Sequence, residues 1–287
     1  MKNKIIQTAN NAGITQIGIV KAEVFSDLGN ILQNRKQVPM TTDNIDERIN
    51  PFLIMPEVKS IIVCLFPYFS DNTPHNISKY AHGIDYHTVI KHKLACIVDL
   101  LAENGFKAEI HADNSNLNDR YLAYKAGLGF IGENGFIINP VYGTYTFIGY
   151  VLTDCALPPD KPVNMSCIKC RQCIKSCPGQ ALSDNHMFDA EKCLSYITQK
   201  KGELSEHEEN LIKESGSIWG CDVCQDVCPH NKNIKPTDFK EFSENLIHQL
   251  CVDENMSNKE FRRTYGDRAF AWRGKSVLIR NINILKK

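Results

Sequence analysis

The stretch CIKCRQCIKSCP, residues 167–178, contains four cysteines at the spacing C-x2-C-x2-C-x3-C and ends in proline. A second stretch, CDVCQDVCP at residues 221–229, repeats the C-x3-C-P ending, and Cys193 lies between the two. Two-residue intervals let three thiolates converge on one iron–sulfur cube, whereas the fourth cysteine lies on the following turn and reaches a different cube. The spacing therefore predicts two [4Fe–4S] clusters with crossed sets of ligands.

The cysteines between residues 167 and 228 number eight, which is the number of ligands that two such clusters need. We predict that one cluster is bound by Cys167, Cys170, Cys173 and Cys228, and the other by Cys177, Cys193, Cys221 and Cys224. A pair of zinc sites is the alternative, because zinc also takes four thiolates at C-x2-C spacing. The crossed run with its prolines favours iron–sulfur clusters. Two clusters carry electrons, so they imply a further redox centre or a substrate elsewhere in the chain.

The composition narrows the class of protein. The 287 residues are 43% apolar, and 33 basic residues balance 33 acidic ones. A net charge of zero excludes a uniformly basic nucleic-acid coat but allows a local basic stripe. The apolar runs fall far short of the roughly 20 residues that span a bilayer, and the N-terminal sequence does not resemble a signal peptide. We therefore expect a cytoplasmic protein without membrane contact, and reduced cysteines.

Hydrophobic periodicity outlines the elements before the cysteines. It predicts a helix and a strand within residues 1–22, a polar irregular segment at 23–55, a buried strand at 59–69, a helix at 86–104, a strand at 106–113, a helix at 118–127, and a two-stranded hairpin at 135–154 that turns at 140–143. The expected fold class is α+β. We predict a mixed α/β domain at 1–157, a ferredoxin-like double-cluster domain at 158–236, and a short helical C-terminal segment at 237–287.

Several stretches outside the cysteine motifs are more specific. They are ISKYAHGIDYH at 77–87, AGLGFIGEN at 126–134 within the longer segment 113–154, CLSYITQKKG at 193–202 and GCDVCQDVCPHNK at 220–232. Together with the first cysteine stretch, they resemble the epoxyqueuosine reductases, the cobalamin-dependent iron–sulfur enzymes of queuosine synthesis in tRNA. The cysteine motif alone is shared by many ferredoxin-like proteins, but this resemblance covers nearly the whole chain.

The resemblance implies a function and a mechanism. Cobalamin is expected in the first domain, and the two clusters are expected to bring it electrons from an external low-potential donor. The substrate would be tRNA that carries epoxyqueuosine at the wobble position, and the product queuosine. Asp119 matches the catalytic aspartate of the family, which protonates the oxygen of the opening epoxide. A carboxyl can do so only if burial or a like charge raises its pKa. Otherwise Asp119 is an ordinary helix-start residue, with Asn118 as an alternative cap.

Further residues are expected to contact the cofactor. The resemblance places this role on Tyr80, Tyr86, His87, Arg120, Gly129, Gly132 and Asn134. Each has a simpler alternative. Tyr86 and His87 could merely begin a helix, Arg120 could form a surface salt bridge, and the glycines could form a cap and a tight turn. The pattern G-x-G-x-x-G at 127–132 follows a helix rather than opening one, which is the wrong context for dinucleotide binding.

Two features depart from the family. Longer members continue beyond the equivalent of Lys287 into helical repeats that help to hold tRNA, so the resemblance is to a short form. Glu133 stands where the family usually carries lysine, a charge reversal. These departures support a second hypothesis, a corrinoid iron–sulfur reductase that acts on a different substrate, such as a small molecule. A third hypothesis is a ferredoxin-like electron carrier.

A basic cluster near the C-terminus could bind tRNA phosphates or form a solvated helical face. It comprises Arg262, Arg263, Arg268, Arg273, Lys275 and Arg280.

Overall fold

The computed structural model describes residues 1–113, 115–184 and 186–287. Before the cysteines, the described residues form five helices and six strands, apart from short 3-10 turns. In chain order these are α1 (Lys2–Asn11), β1 (Gln16–Lys21), α2 (Ser26–Gln33), α3 (Ile45–Ile49), β2 (Ser60–Pro67), α4 (Tyr86–Glu103), β3 (Ala108–His111), α5 (Asp119–Lys125), β4 (Phe130–Ile131), β5 (Ile137–Ile138) and β6 (Thr146–Thr153).

A four-stranded antiparallel sheet lies at the centre of this part, in the order β1-β2-β6-β3. Every residue of β2 is buried, and its alternate residues enter two different cores. Ile61, Val63 and Leu65 pack with α2 and α5 on one face. Ile62, Cys64 and Phe66 pack with α1 and α4 on the other. The sheet is therefore covered by helices on both faces. Because both faces are buried, the sequence of β2 is a continuous apolar run.

Two expectations for this part are wrong. Residues 23–55 are not irregular, because they contain α2 and α3, and Asn44 caps α3 by accepting a hydrogen bond from the backbone N–H of Asp46. Residues 135–154 do not form a hairpin of two paired strands. β5 pairs with β4, whereas β6 pairs with β2 and β3 in the central sheet. The long apolar β6 gains more burial between β2 and β3 than it would beside the two-residue β5.

The remaining elements follow the first cysteine motif. In chain order they are α6 (Gln172–Lys175), β7 (Leu182–Ser183), β8 (Met187–Phe188), α7 (Leu194–Ile197), α8 (Glu206–Ser215), α9 (Val223–Asp226), α10 (Asn258–Tyr265) and α11 (Lys275–Lys286). The expected α+β class is confirmed, whereas the boundaries at 157 and 236 stay predictions. Within the described residues, no helix is long and apolar enough to cross a membrane.

One hydrophobic core joins all three predicted domains. Ile77, Trp219 and Leu278 each have no exposed surface and belong to the same cluster. The backbone N–H of Ser78 also donates to the carbonyl of Trp219 at 2.7 Å. The segment that leads into α4 is thereby fixed against the second cysteine stretch and against α11.

Candidate functional site

The candidate site lies where three elements of the first part meet. Strand β3 is followed closely by Asp113, α4 begins at Tyr86, and α5 begins at Asp119. The side chain of Asp85 caps α4 by accepting from the backbone N–H of His87 at 3.1 Å. Asn118 caps α5 by accepting from the backbone N–H of Tyr121 at 3.0 Å. Because Asn118 takes the capping role, the carboxyl of Asp119 is left available for chemistry.

Asp119 has the properties that a proton donor needs. Its Oδ1 atom is buried and has no hydrogen-bond partner among the described residues. Burial, and then the negative charge of Asp113, raise the pKa of Asp119 to about 8, against the opposing effect of Arg120. The carboxyl is therefore mostly protonated at neutral pH. An unpartnered buried polar atom in such a position fits a substrate oxygen as its partner.

Asp113 is held ionised by its neighbours. The hydroxyl of Tyr86 donates to Asp113, and His87 Nε2 lies 3.5 Å from Asp113 Oδ2. His87 Nδ1 lies 2.7 Å from Asp85 Oδ1. Burial alone would lower the pKa of His87, but hydrogen bonds and charges of Asp113 and Asp85 raise it to about 9. The resulting imidazolium and the Tyr86 hydroxyl lower the pKa of Asp113, although its own desolvation works in the opposite direction.

Tyr86 also forms part of an aromatic wall. Its ring stacks on His87 with centroids 4.1 Å apart and on Phe147 at 4.2 Å with nearly parallel planes. Tyr80 lies behind it, in edge contact with Tyr86 at 6.4 Å, and its hydroxyl accepts a hydrogen bond from Trp219 Nε1 at 2.7 Å. Tyr86 and His87 therefore lie in the group that contains Asp113, whereas Tyr80 supports that group from the core.

Arg120 lies at the exposed edge of the site. Its Nη1 atom donates to the carbonyl of Gly135 at 3.0 Å, and its guanidinium lies 4.7 Å from the ring centroid of Phe136. Among the described residues, Arg120 forms no ion pair with a carboxylate. The surface salt bridge considered from the sequence is therefore not what holds it, and its contact with a phosphate stays a prediction.

Close contacts within the protein itself account for the glycines at 129 and 132. A Cβ atom on Gly129 would come within 2.4 Å of the carbonyl oxygen of Ile138, and one on Gly132 within 2.6 Å of Asn134 Oδ1. Asn134 is buried and donates from Nδ2 to the carbonyl of Cys224 at 3.3 Å. These residues thus join the strands to the cysteine stretches. Direct contact of Gly129 and Gly132 with cobalamin stays a prediction.

The eight cysteines form two spatial groups. Cys167, Cys170, Cys173 and Cys228 line one cavity, together with Glu133 and Asn134. In the other group, burial raises the pKa of Cys221 to about 12, and the nearby thiolates of Cys193 and Cys177 add to the effect. Burial, and then the charges of Cys221, Cys193 and Cys177, raise the pKa of Cys224. The two groups have the membership expected from the sequence, while ligation itself stays a prediction. No set of three or more His, Cys, Asp or Glu in the described chain is arranged to hold a single metal ion.

Glu133 lies at the first cysteine group, whereas Asp119 belongs to the Asp113 group. The side chain of Glu133 is buried; Oε2 accepts from the backbone N–H of His186 at 3.4 Å, and Oε1 lies 3.8 Å from His186 Nε2. Glu133, which stands where the family usually carries lysine, therefore has His186 as a partner within the protein. It gives no structural support to the hypothesis of a different substrate.

Part of the C-terminal basic cluster has an internal role. Arg268 Nη1 donates to the carbonyl of His82 at 3.0 Å, and Arg280 Nη1 donates to the carbonyls of Lys200 and Gly202, each at 2.7 Å. Lys275 Nζ bonds backbone carbonyls as well. These three cations fasten the C-terminal segment to the rest of the chain. Arg262 and Arg263 are exposed on α10.

The sequence interpretation missed Asp113, Lys79 and the capping role of Asp85. Asp113 sets the charge beside Asp119, yet its only sequence signal is its position at the end of a predicted strand. Asp85 could have been found as an N-cap, because it precedes Tyr86 at the start of a predicted helix. Lys79 Nζ lies 2.7 Å from Asp226 Oδ1 and is buried beside the second cysteine group, a contact that no local pattern indicates.

A protonated carboxyl in a sheet domain, packed against two groups of four cysteines, is typical of an iron–sulfur oxidoreductase. Comparison with known proteins identifies the family of oxidoreductases to which the chain belongs. Residues 166–231 match the family model of the 4Fe-4S double cluster binding domain, and residues 48–114 match that of epoxyqueuosine reductase QueG, DUF1730. The first of these matches favours iron–sulfur clusters over zinc.

Individual relatives are similar to this chain over nearly its whole length. The epoxyqueuosine reductase of Staphylococcus aureus is 35% identical over 299 residues, which cover 98% of this chain and 78% of the relative. A crystal structure of epoxyqueuosine reductase with an epoxyqueuosine-modified tRNA-Tyr stem loop matches with a TM-score of 0.89 and 28% identity, over 99% of this chain and 80% of the other. A structure of epoxyqueuosine reductase from Bacillus subtilis, with its catalytic aspartate loop swung out of the active site, matches with a TM-score of 0.87 and 29% identity. This match also covers 99% of this chain and 80% of the other. The chain belongs to the epoxyqueuosine reductase family, so it is an oxidoreductase and the expected resemblance is confirmed.

Proposed function

We propose that this chain reduces epoxyqueuosine to queuosine at the wobble position of tRNA, with Asp119 as the proton donor. The observation that carries the proposal is the carboxyl of Asp119, whose Oδ1 atom is buried without a partner among the described residues and whose pKa is raised to about 8. An acid of this kind retains its proton at neutral pH and can still give it up to a developing alkoxide. The relative that was crystallised with a modified tRNA stem loop supports the choice of substrate.

The net reaction defines what the site has to supply. Removal of the epoxide oxygen forms a carbon–carbon double bond and releases the oxygen as water, so it consumes two electrons and two protons. We assign the first proton to Asp119, which takes a replacement from solvent. The carboxylate of Asp113 keeps the pKa of Asp119 raised, and the cation of His87 keeps Asp113 ionised. The site thus separates a charged carboxylate from a protonated one, as acid catalysis at neutral pH requires.

Two cofactors fit this arrangement. The double-cluster match and the two cysteine groups support two [4Fe–4S] clusters, which would pass electrons singly from an external low-potential donor. Cobalamin, when bound, would supply the reducing chemistry at the epoxide. His87 and the edge of Tyr86, whose faces are covered by His87 and Phe147, would contact it, and Arg120 would bind a phosphate of the cofactor tail or of tRNA.

The proposal can be tested by nucleoside mass spectrometry. The chain would be expressed, with cobalamin supplied, in a bacterium that lacks its own epoxyqueuosine reductase, and the tRNA digested. We expect queuosine to replace epoxyqueuosine with the wild type but not with Cys173→Ala, which removes one thiolate of the first cysteine group. Persistence of epoxyqueuosine, although the purified wild type contains cobalamin and about eight iron atoms, four for each cluster, would contradict the proposal.

A further inference from the structure

Residues 161–175 form a surface loop around the first cysteine group. The loop exposes two large apolar side chains, Met165 at 49% and Ile168 at 60% of their surface. Single exposed apolar residues are ordinary on protein surfaces. Here, however, Ile168 directly follows Cys167 within the cysteine motif, and Met165 lies two residues before Cys167. The exposed side chain of Ile168 also lines the cavity of the first cysteine group, so it lies beside the expected position of one cluster.

The same loop is strongly basic, although the whole chain is neutral. Residues 161–175 contain four cations and no carboxylate, and each cation is exposed: Lys161, Lys169, Arg171 and Lys175. Arg171 pairs with Asp184 at 2.8 Å. Lys161, Lys169 and Lys175 form no ion pair with the residues that the structure describes. Three uncompensated cations on the rim of an apolar surface favour an acidic partner.

The second cysteine group has a different environment. Trp219, Gly220, Asp222 and Gln225 flank Cys221 and Cys224 and are all buried. A protein partner can therefore approach the first group through residues 161–175 far more closely than it can approach this part of the second group. Electrons that enter at the first group can then continue to the second.

We propose that residues 161–175 are the docking surface for a small acidic redox protein that supplies the electrons. This inference rests on the proposed function only in that the reaction needs an electron source. In each encounter the reduced carrier loses one electron and the first cluster gains it, so one turnover needs two encounters. The surface is small, and electron-transfer complexes are characteristically small and short-lived. Met165 and Ile168 would form the apolar centre of contact, with Lys169 and Lys175 on its rim.

The test is the rate at which a carrier reduces the clusters. Reduced flavodoxin, an acidic flavoprotein, would be mixed anaerobically with the cluster-loaded protein, and cluster bleaching followed by stopped flow. We expect the double variant Lys169→Glu/Lys175→Glu to be reduced about tenfold or more slowly at low salt, because like charges now oppose the encounter. The wild-type rate should fall as salt is added. Lys213→Glu, on the exposed face of α8, is the matched control and should behave as wild type.

Dithionite distinguishes docking from damage. Its reduction of the clusters should proceed equally fast in the wild type and in the double variant, at equal iron content. Equal slowing with dithionite and flavodoxin would show a disturbed cluster and overturn the inference, as would an unchanged flavodoxin rate. An unchanged flavodoxin rate together with weaker binding of a tRNA stem loop would instead identify the loop as an RNA contact. If dithionite-reduced wild type fails to convert epoxyqueuosine, the proposed function fails, while the docking result stands.

Discussion

Asp113 and Asp119 are six residues apart in sequence but have opposite protonation states. Asp113 accepts from Tyr86 and faces the imidazolium of His87, which lowers its pKa. Asp119 is buried without a hydrogen-bond partner for Oδ1 in the described residues, which raises its pKa to about 8. The difference therefore arises from the partners of each carboxyl rather than from any difference between the side chains.

Replacement of Asp113 should change the pH dependence of turnover. Asp113→Asn removes the negative charge that helps to raise the pKa of Asp119, so that pKa should fall. Because Asp119 acts in its protonated form, the alkaline limb of the kcat/KM profile should move to lower pH, from near pH 8 in the wild type. A limb that stays in place, or moves to higher pH, would show that Asp119 is not the titrating acid.

Asp119 should also reduce the stability of the fold at high pH. Its folded pKa of about 8 lies above the unfolded value of about 3.9, so the ionised form is disfavoured in the folded state. The cost rises as the pH increases between these two values and then levels off. We expect the Tm of Asp119→Asn to exceed that of the wild type by a margin that grows from pH 5 to pH 8.

A control for this measurement is Asp99→Asn, which removes an exposed carboxyl on α4. Its Tm should follow that of the wild type at every pH. A constant difference between Asp119→Asn and the wild type across the range would mean that the carboxyl is not desolvated as the structure indicates.

At the level of elements, α5 owes its position to its cap. Asn118→Ala removes the hydrogen bond to the backbone N–H of Tyr121 and should cost about 1 kcal/mol of unfolding free energy. Because Asp119 is the first residue of α5, turnover should fall as well. Asn118→Ser, which preserves a capping side chain, should recover most of both losses in chemical denaturation and activity assays. Equal stability of the alanine and serine variants would contradict the assigned cap.

Elements with strong local signals were predictable from the sequence. The buried strand at 59–69 and the helix at 86–104 appear as β2 and α4, because apolar periodicity and helix-end residues act over a few residues. The helices α2 and α3 were missed, since their sequences are largely polar and only one face is buried. The pairing of β6 with β2 was missed as well, because strand partners are selected by burial in the whole sheet rather than by the intervening turn.

The same distinction applies to the site. The presence of a double-cluster domain was predictable because the cysteine spacing encodes the geometry of the clusters, and the resemblance indicated Asp119. The partnership of Asp113 with Tyr86 and His87 was not predictable, because it joins residues more than 25 positions apart. Burial of Asp119 likewise depends on the packing of the sheet, α4 and α5, which no stretch of sequence records alone.

At the scale of the whole molecule, an ion pair between the buried Lys79 and the exposed Asp226 connects the sheet domain to the second cysteine group. Lys79 is 6% exposed; its Nζ lies 2.7 Å from Asp226 Oδ1, and its backbone N–H donates to Asp222 Oδ2 at 2.7 Å. The hydroxyl of Ser78 donates to the other oxygen of Asp222 at 2.6 Å. Asp222 directly precedes α9, the helix that carries Cys224, and Asp226 is the last residue of that helix. The ion pair and these two hydrogen bonds therefore help to fix the second cysteine group relative to the catalytic site.

Loss of this cation should destabilise the junction. Lys79→Met leaves Asp222 and Asp226 without their cation and should lower the unfolding free energy by roughly 1.5–3 kcal/mol, the value of hydrogen bonds to charged groups. The double variant Lys79→Met/Asp226→Asn should lose less than the sum of the two single variants, because one of the stranded charges is removed with it. Strict additivity in chemical denaturation would contradict a direct interaction between Lys79 and Asp226.

The most direct test of the central claim is single-turnover conversion by the purified protein. Wild type and Asp119→Asn, matched for iron and cobalamin content and reduced chemically, would be mixed anaerobically at pH 7 with a tRNA stem loop that carries epoxyqueuosine. The nucleosides would be measured by mass spectrometry. We predict queuosine from the wild type and a loss of at least about 100-fold in rate with the asparagine variant, the typical contribution of a general acid. Conversion by Asp119→Asn at the wild-type rate would show that the proton comes from another group.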